Sequence, residues 1–259
     1  MGPFAARLRA CGYAVRAPVG PGYGIDAALS GRIDRYEQWV EYFTGQFDQL
    51  RARYEHVSIG GLCIGADIAI QITAQRPAVR SLMLISTTLF YDGWNVSPLR
   101  VLLPLGYYTP LRRWYRVRET DPYGLKNERL RAWVAQQMRR TDGSIAGAAN
   151  LPLTAIYQAQ RLIHAAKRSL GAVSAPTLVM HAREDDVSSL RSVDLVCSRI
   201  GSREVVRLIF DDSYHMLTLD NERAAVAQAA VDFLERQGAT PQARSALPVA
   251  TQLPRSAAI

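Results

Sequence analysis

A cysteine between two glycines stands where a strand-like stretch gives way to a helical one. The run Gly61-Leu62-Cys63-Ile64-Gly65 follows strand-forming residues 56–60 and precedes an apolar stretch that we expect to be helical to about Gln75. This spacing is the nucleophile-elbow pattern G-x-S-x-G with cysteine in place of serine. A sharp turn of this kind needs glycine on both sides, because a Cβ at either position is expected to clash with neighbouring backbone. The turn would lift Cys63 above the sheet edge and place it at a helix N-terminus, which favours a thiolate. The alternative is a tight strand–turn–helix corner with a buried, inert cysteine.

The groups that could assist a nucleophilic thiol come much later in the chain. A thiol nucleophile needs a base, and the base needs a group that orients it. Three adjacent carboxylates, Glu184, Asp185 and Asp186, follow a predicted strand that ends at His181, and His215 follows the next predicted strand. The carboxylates suit the orienting role, and the same cluster also suits the N-terminus of the helix that follows. We expect His215 to be the base and His181 to be structural, although His181 is close to the predicted site.

Alternating strands and helices would bring these residues together. Strands are predicted over residues 13–17, 56–60, 81–86, 176–181 and 204–210. Helices are predicted over residues 3–11, 36–54, 66–75, 188–200 and 220–237. The alternation predicts an α/β fold with a doubly wound, mostly parallel sheet, on which ligands bind outside the carboxyl ends of the strands. Cys63 and His215 are both expected at that edge.

The strand–helix alternation stops between residues 87 and 169. This segment is basic, rich in aromatic residues and interrupted by prolines, and we predict that it forms a helical cap over the carboxyl edge of the sheet, with a loose loop at residues 141–149. Tyr91 and Trp94 in the cap, with Met216 from the core, are the predicted contacts for a hydrophobic substrate. The core is then assigned to residues 1–86 and 170–237. Residues 238–259, which include no acidic residue, are predicted to form a disordered tail.

Positive charge is concentrated in the same segment. The chain has a formal net charge of +8, and residues 90–169 carry thirteen Lys or Arg against five Asp or Glu. Such a patch can attract nucleic acid, anionic lipid or a phosphorylated carrier, but a solvated helical surface accounts for it more simply. No nucleic-acid-binding motif accompanies the charge, so no nucleic-acid partner is expected.

Other features of the composition narrow the class of protein. The three cysteines, Cys11, Cys63 and Cys197, are scattered, and no cluster of His and Cys has zinc-binding spacing. Neither a disulfide framework nor a metal or other cofactor is therefore predicted. No apolar run is long enough to span a bilayer, and the N-terminus lacks a signal-peptide core. We predict a cytoplasmic protein without an integral membrane segment.

The chain resembles α/β-hydrolase carboxylesterases, the group also called serine-aminopeptidase-like or monoacylglycerol-lipase-like. The resemblance covers about residues 2–233 and rests on residues 61–66, 181–187 and 213–216, while residues 21–24 look like the loop after the family's fourth strand. It implies that Cys63 takes the position of the nucleophile, Asp185 that of the acid and His215 that of the base. Asp186 remains a rival for the acid, and the backbone N–H of Ile64 would be one oxyanion donor.

The chain departs from the family pattern in two ways. Cysteine replaces serine at the elbow, as in dienelactone hydrolases and some thioesterases, which makes thioesters and activated esters at least as suitable as simple esters. Family members also have three strands before the first helix found here, and the third leads into a His-Gly loop with the other oxyanion donor. We therefore expect that the first three strands are missing and that the chain is an N-terminally short version of a longer gene product.

These features favour hydrolysis of a small carboxylic ester or thioester with a hydrophobic acyl part, through Cys63, His215 and Asp185. A second hypothesis is a hydrolase-like scaffold that binds a ligand or partner without turnover, suggested by the cysteine and by the expected loss of one oxyanion donor. A third hypothesis is hydrolysis of a C–C bond or of a dienelactone.

Overall fold

Eight α-helices, two short 3₁₀ helices and eight strands lie in the part of the chain that the computed structural model describes, residues 2–21, 35–110, 114–140, 143–144, 147–148 and 150–238. The helices are α1 (Gly2–Ala10), α2 (Glu37–Arg51), α3 (Ile64–Gln75), α4 (Leu103–Tyr107), α5 (Glu128–Arg140), α6 (Leu153–Ser169), α7 (Arg191–Arg199) and α8 (Arg223–Arg236). The strands are β1 (Ile59–Leu62), β2 (Leu82–Ile85), β3 (Arg116–Arg118), β4 (Gly143–Ser144), β5 (Gly147–Ala148), β6 (Asn150–Pro152), β7 (Thr177–Ala182) and β8 (Val205–Phe210).

The core is built on a parallel sheet with the strand order β1-β2-β7-β8. Every residue of β2 and β7 is buried, because helices cover both faces of the sheet. Met83 and Ile85 pack with α1 and α8 on one face, while Leu82 and Leu84 pack with α3 and α7 on the other. This arrangement confirms the predicted doubly wound α/β sheet, and the core strands and helices begin and end within a few residues of their predicted bounds.

One predicted strand, residues 13–17, does not form. Tyr13 and Val15 turn inward against the cluster between α1 and α8, and Ala14 and Arg16 turn outward, so the side chains alternate as in a strand. No described strand pairs with this backbone, and β1 is the edge strand of the described sheet. The prediction was wrong because an alternating pattern specifies which side chains are buried, whereas a strand also requires a hydrogen-bonding neighbour.

The segment predicted as a helical cap contains α4, α5 and α6, but it is not all helical. β3 and β6 form a small antiparallel sheet in which Arg116 pairs with Pro152 and Arg118 with Asn150. Inside the predicted loose loop, Gly143–Ser144 pairs with Gly147–Ala148 as a minimal antiparallel hairpin. Both departures involve ladders of two or three residues, which are too short to produce a recognisable alternation in the sequence.

Several predictions concern residues outside the described ranges, namely residues 22–24 of the early loop and residues 239–259 of the tail. Among the described helices, none combines the length and apolar character needed to cross a bilayer. Likewise, the described side chains include no group of three or more His, Cys, Asp or Glu arranged to hold a metal ion. Cys11, Cys63 and Cys197 are all free thiols.

Candidate active site

Cys63 is the single residue between the end of β1 and the start of α3. Its backbone has φ 55° and ψ −124°, a conformation that residues with a side chain rarely adopt and that costs about 1–3 kcal/mol. A Cβ added to Gly61 would lie 2.1 Å from the carbonyl oxygen of Gly65, so only glycine fits at position 61. A Cβ added to Gly65 would meet no heavy atom within 4 Å. The expected steric requirement is therefore right for Gly61 and wrong for Gly65.

His215 and Asp185 meet at the carboxyl ends of β7 and β8. The Nδ1 atom of His215 lies 3.0 Å and 2.8 Å from the two carboxylate oxygens of Asp185. The Asp185 side chain is fully buried and that of His215 is only 6% exposed. The backbone N–H groups of Val187 and Ser188 also donate to Oδ1 of Asp185, each at 2.8 Å. These contacts orient the imidazole and hold an ionised carboxylate beside it.

Asp186, the rival acid, has a different set of partners. One of its carboxylate oxygens accepts from the backbone N–H of His215 at 3.3 Å and the other from the backbone N–H of Gly124 at 3.2 Å. Burial raises the pKa of Asp186, and the neighbouring Asp185 charge raises it further, although His215 opposes this rise. Asp185 contacts the imidazole ring, whereas Asp186 fastens the backbone that carries the ring to the cap.

Cys63 and His215 are electrostatically coupled at the centre of this group. Burial by itself would raise the pKa of the Cys63 thiol, but the charge and hydrogen-bonding capacity of His215, with contributions from Thr88 and the Ile64 amide, bring it below its usual value. Burial likewise opposes the imidazolium, yet Asp185 and Cys63 hold the pKa of His215 well above its usual value. The Nε2 atom of His215 is buried and makes no hydrogen bond with another described residue. Each of the two groups therefore stabilises the charged form of the other.

Two supporting residues were not singled out as functional by the sequence. The Thr88 hydroxyl lies 3.4 Å from the Cys63 sulfur and 3.3 Å from the carbonyl oxygen of Ser86. His181 is fully buried, with Nε2 2.8 Å from the carbonyl oxygen of Ser188 and 3.3 Å from Asp185. Burial lowers the pKa of His181, so its ring is neutral and stands behind the acid. Thr88 follows the carboxyl end of β2, and His181 lies at the carboxyl end of β7. These positions, at the edge where the site was expected, could have drawn attention to both residues.

A second carboxylate is buried near the sulfur. Asp67 lies in the first turn of α3, one helical turn after Cys63, and its side chain is completely buried with no hydrogen-bond partner for either oxygen. Burial, reinforced by the charge of Cys63, raises the pKa of Asp67 well above its usual value, and the Lys167 charge only partly offsets this. Asp67 therefore keeps its proton to a higher pH than an ordinary aspartic acid does.

The predicted substrate contacts occupy different surroundings. Tyr91 and Cys63 border the same apolar cluster, which includes Trp39 and Ile64. Trp94 is 58% exposed; its indole N–H donates to the carbonyl oxygen of Glu184, and its ring packs edge-on against Tyr214.

Met216, in contrast, faces the cap. Its side chain packs against the cap residues Leu125 and Val134, and its backbone N–H donates to the carbonyl oxygen of Gly124 at 2.8 Å. A Cβ on Gly124 would lie 2.8 Å from Cγ of Met216 and 3.2 Å from Cβ of His215. Because Gly124 also has φ +72°, only glycine allows the cap to approach the His215 loop so closely.

Asp220 connects the same two segments. Its fully buried carboxylate accepts from the backbone N–H groups of Lys126, Asn127, Tyr214 and Asn221 at 2.7–2.9 Å. Lys126 and Asn127 belong to the cap, while Tyr214 immediately precedes His215. The cap and the His215 loop are thus bound through one buried group.

A doubly wound sheet with a strained strand–turn–helix corner and a buried Asp–His pair at its carboxyl edge is the arrangement of an α/β-hydrolase. A protein-family comparison agrees: the model of the serine aminopeptidase S33 family matches residues 1–222, and the chain belongs to this family.

The chain is also similar to individual characterised proteins along most of its length. It is 22% identical to a thermostable monoacylglycerol lipase of Bacillus sp. strain H-257 over 240 residues, 91% of this chain and 85% of the lipase. It is 20% identical to a carboxylesterase of Bacillus subtilis strain 168, over 87% of this chain and 82% of the esterase. Among solved structures, a Paleococcus ferrophilus monoacylglycerol lipase matches with a TM-score of 0.72 at 17% identity, covering 91% of this chain and 88% of that protein. This last likeness concerns the fold.

The two elbow glycines provide a matched pair of variants. Gly61→Ala is expected to lower the free energy of unfolding by more than about 3 kcal/mol, because the added Cβ would overlap the backbone of residue 65. Gly65→Ala is expected to leave stability unchanged or slightly raised, since its Cβ meets open space in the first turn of a helix. Urea unfolding of both variants checks this, and equal destabilisation would contradict the elbow geometry.

Because folding raises the pKa of Asp67, replacing its carboxyl group with an uncharged amide is expected to stabilise the protein by an amount that depends on pH. A carboxyl group whose pKa is raised by folding costs stability as pH rises above the unfolded value of about 4. Asp67→Asn is therefore expected to raise the thermal midpoint at pH 7 by at least about 2–4 °C, and to have no effect below pH 4.

Asp48 is the control for this effect, because it is exposed and its pKa is lowered by a hydrogen bond and charge pairing with Arg76. Asp48→Asn is expected to change stability in the opposite direction, slightly, at neutral pH. The thermal midpoint of Asp67→Asn is compared with that of the unchanged protein at each pH. If the variant is less stable than the unchanged protein at pH 7 but not at pH 4, Asp67 is ionised and paired.

Proposed function

We propose that this protein hydrolyses carboxylic esters or thioesters with a hydrophobic acyl part, with Cys63 as nucleophile, His215 as general base and Asp185 as the residue that orients the base. The observation that carries the proposal is the buried Asp185–His215 pair, which is coupled to a thiol whose pKa lies below its usual value. An ion pair of this kind supplies a thiolate near neutral pH without any further base.

The reaction follows from these groups in two halves. The Cys63 thiolate attacks the carbonyl carbon, and the developing oxyanion accepts a hydrogen bond from the backbone N–H of Ile64. As the C–O or C–S bond breaks, the leaving alcohol or thiol takes the proton from Nε2 of His215, which leaves an acyl-thioester on Cys63. His215 then removes a proton from water, the resulting hydroxide attacks the thioester carbonyl, and the carboxylic acid departs as the thiolate–imidazolium pair re-forms.

The relatives support the ester part of this proposal. Two proteins of similar sequence are a monoacylglycerol lipase and a carboxylesterase, both of which act on carboxylic esters. Tyr91 and Cys63 border one apolar cluster, which supports Tyr91 as a contact for the acyl part. We assign Trp94 and Met216 to the rim of the same site, because each contacts a loop that carries Asp185 or His215. Thioesters are included because a thiolate exchanges readily with them.

The test is the activity and reactivity of Cys63. Purified protein should hydrolyse members of a panel of p-nitrophenyl esters and acyl thioesters of increasing chain length, and Cys63→Ala should lower kcat/KM at least about a thousandfold. Iodoacetamide should alkylate Cys63 rapidly at pH 7, well below the range in which an ordinary thiol ionises. Full activity of Cys63→Ala would overturn the proposal, and an alkylation rate typical of Cys197 would assign the fold to a non-catalytic scaffold.

Asp185 and Asp186 distinguish orientation of the base from support of its loop. Asp185→Asn removes the charge that raises the pKa of His215, so the alkylation rate of Cys63 between pH 6 and 7 should fall about tenfold or more, with kcat. Asp186→Asn keeps an oxygen that can accept from the backbone of residue 124 or 215, and should leave the pH profile of alkylation nearly unchanged. The reverse ranking would make Asp186 the acid.

A further inference from the structure

The cap carries an outward-facing apolar surface that the protein core does not explain. It is formed by residues 98–110 and 114–118, most of whose large apolar side chains are at least half exposed, from 50% for Tyr115 to 82% for Trp114. The members of this surface, which we call the cap ridge, are Leu99, Val101, Leu102, Leu105, Tyr108, Trp114 and Tyr115. They include most of the large hydrophobic side chains that are exposed in the described part of the chain. A concentration of this kind marks an interaction surface.

The ridge is held in place from beneath. A short 3₁₀ helix, Pro98–Leu102, buries none of its residues although it consists mainly of aliphatic side chains. It runs directly into α4, which buries only Gly106 and Tyr107. The Tyr107 ring packs 5.2 Å from that of Tyr157 on α6, so this face attaches the ridge to the cap. The other residues of the two helices are exposed, except for the half-buried Leu103.

Positive charge lies among these apolar side chains. Residues 93–118 include five arginines and no acidic residue. Arg100, Arg116 and Arg118 have exposed side chains, and no described residue forms an ion pair with any of them. Unpaired arginines interspersed with exposed Leu, Val, Trp and Tyr combine an apolar face with a cationic one.

We propose that the cap ridge docks the protein on anionic lipid surfaces. Leucine and valine side chains can enter the acyl boundary, tryptophan and tyrosine prefer the interfacial region, and arginines meet acidic headgroups. A single-stranded polynucleotide fits less well, since it binds by base stacking on aromatic rings and aliphatic side chains offer no such surface. The ridge lies outside the group of Cys63, Asp185 and His215, so lipid docking does not depend on the proposed hydrolysis.

The experiment measures binding of the full chain to vesicles by co-sedimentation and by the tryptophan emission shift. Vesicles of phosphatidylcholine alone are compared with vesicles that also contain phosphatidylglycerol, at low and high salt. Binding should be at least about tenfold stronger to the anionic vesicles at low salt and should weaken at high salt. Equal binding to both compositions, or none to either, would overturn the proposal.

Two sets of variants separate the ridge from general stickiness and charge. Leu99→Ser with Leu105→Ser, and Arg100→Gln with Arg116→Gln and Arg118→Gln, should each reduce anionic-vesicle binding about tenfold or more and leave the thermal midpoint unchanged. The matched controls, Val19→Ser and Arg53→Gln with Arg199→Gln and Arg203→Gln, change exposed residues elsewhere and should bind like the unchanged protein. Equal losses in the controls would overturn the assignment.

Two further outcomes would assign the ridge to another partner and refute lipid docking. The first is a dimer in gel filtration that disappears in the Leu99→Ser, Leu105→Ser variant, together with no vesicle binding. The second is arginine-dependent binding of an oligonucleotide without vesicle binding. Hydrolytic activity is not used in any of these measurements, so an inactive protein that binds anionic vesicles would refute the proposed function and leave this proposal intact.

Discussion

The contact between Asp185 and His215 determines what every other group in the site can do. A carboxylate with a fully buried side chain is costly unless it is paired and hydrogen-bonded, and Asp185 is both: it faces the imidazole and accepts from two backbone N–H groups. Burial would otherwise keep both His215 and Cys63 neutral. With Asp185 in place, positive charge on His215 becomes favourable, and that charge in turn stabilises a thiolate on Cys63.

Asp185 and Asp67 are both buried, but their surroundings shift the pKa values of their carboxyl groups in opposite directions. Asp185, with His215, His181 and backbone N–H groups around it, has a pKa below its usual value in spite of burial. Asp67 has no hydrogen-bond partner for either oxygen, and its pKa is raised. An ionised Asp67 would repel a thiolate on Cys63, so the raised pKa of Asp67 is compatible with a lowered pKa of Cys63. Environment, and not residue type, assigns the two roles.

The sequence was sufficient for those features that local chemistry or periodicity determines. The elbow at Gly61 to Gly65 and the position of His215 after β8 follow from turn chemistry and from the edge at which parallel strands end. The sequence assigned Asp185 to the acid only through the family resemblance and left Asp186 as a rival, because adjacent residues differ only in where the loop directs each side chain. Thr88 also escaped notice, since its contact with Cys63 depends on the packing of two separate strands.

The cap and the edge of the sheet show the same limit. Residues 13–17 have the inward and outward alternation of a strand, but pairing depends on a neighbouring chain segment and not on the residues themselves. The ladder between β3 and β6 joins residues more than thirty positions apart through only three pairs. Its individual segments carry too little pattern to be recognised without the partner.

The buried carboxylate of Asp220 has a mechanical consequence. By binding Lys126 and Asn127 together with Tyr214, it ties one end of the cap to the loop that carries His215. A displacement of this end of the cap would therefore also displace His215 relative to Cys63. Residues 98–110, by contrast, bury only Gly106 and Tyr107. The same insertion is thus tied to the core beside His215 and sparsely buried at its outer end, so a substitution in residues 98–110 can alter the surface without disturbing His215.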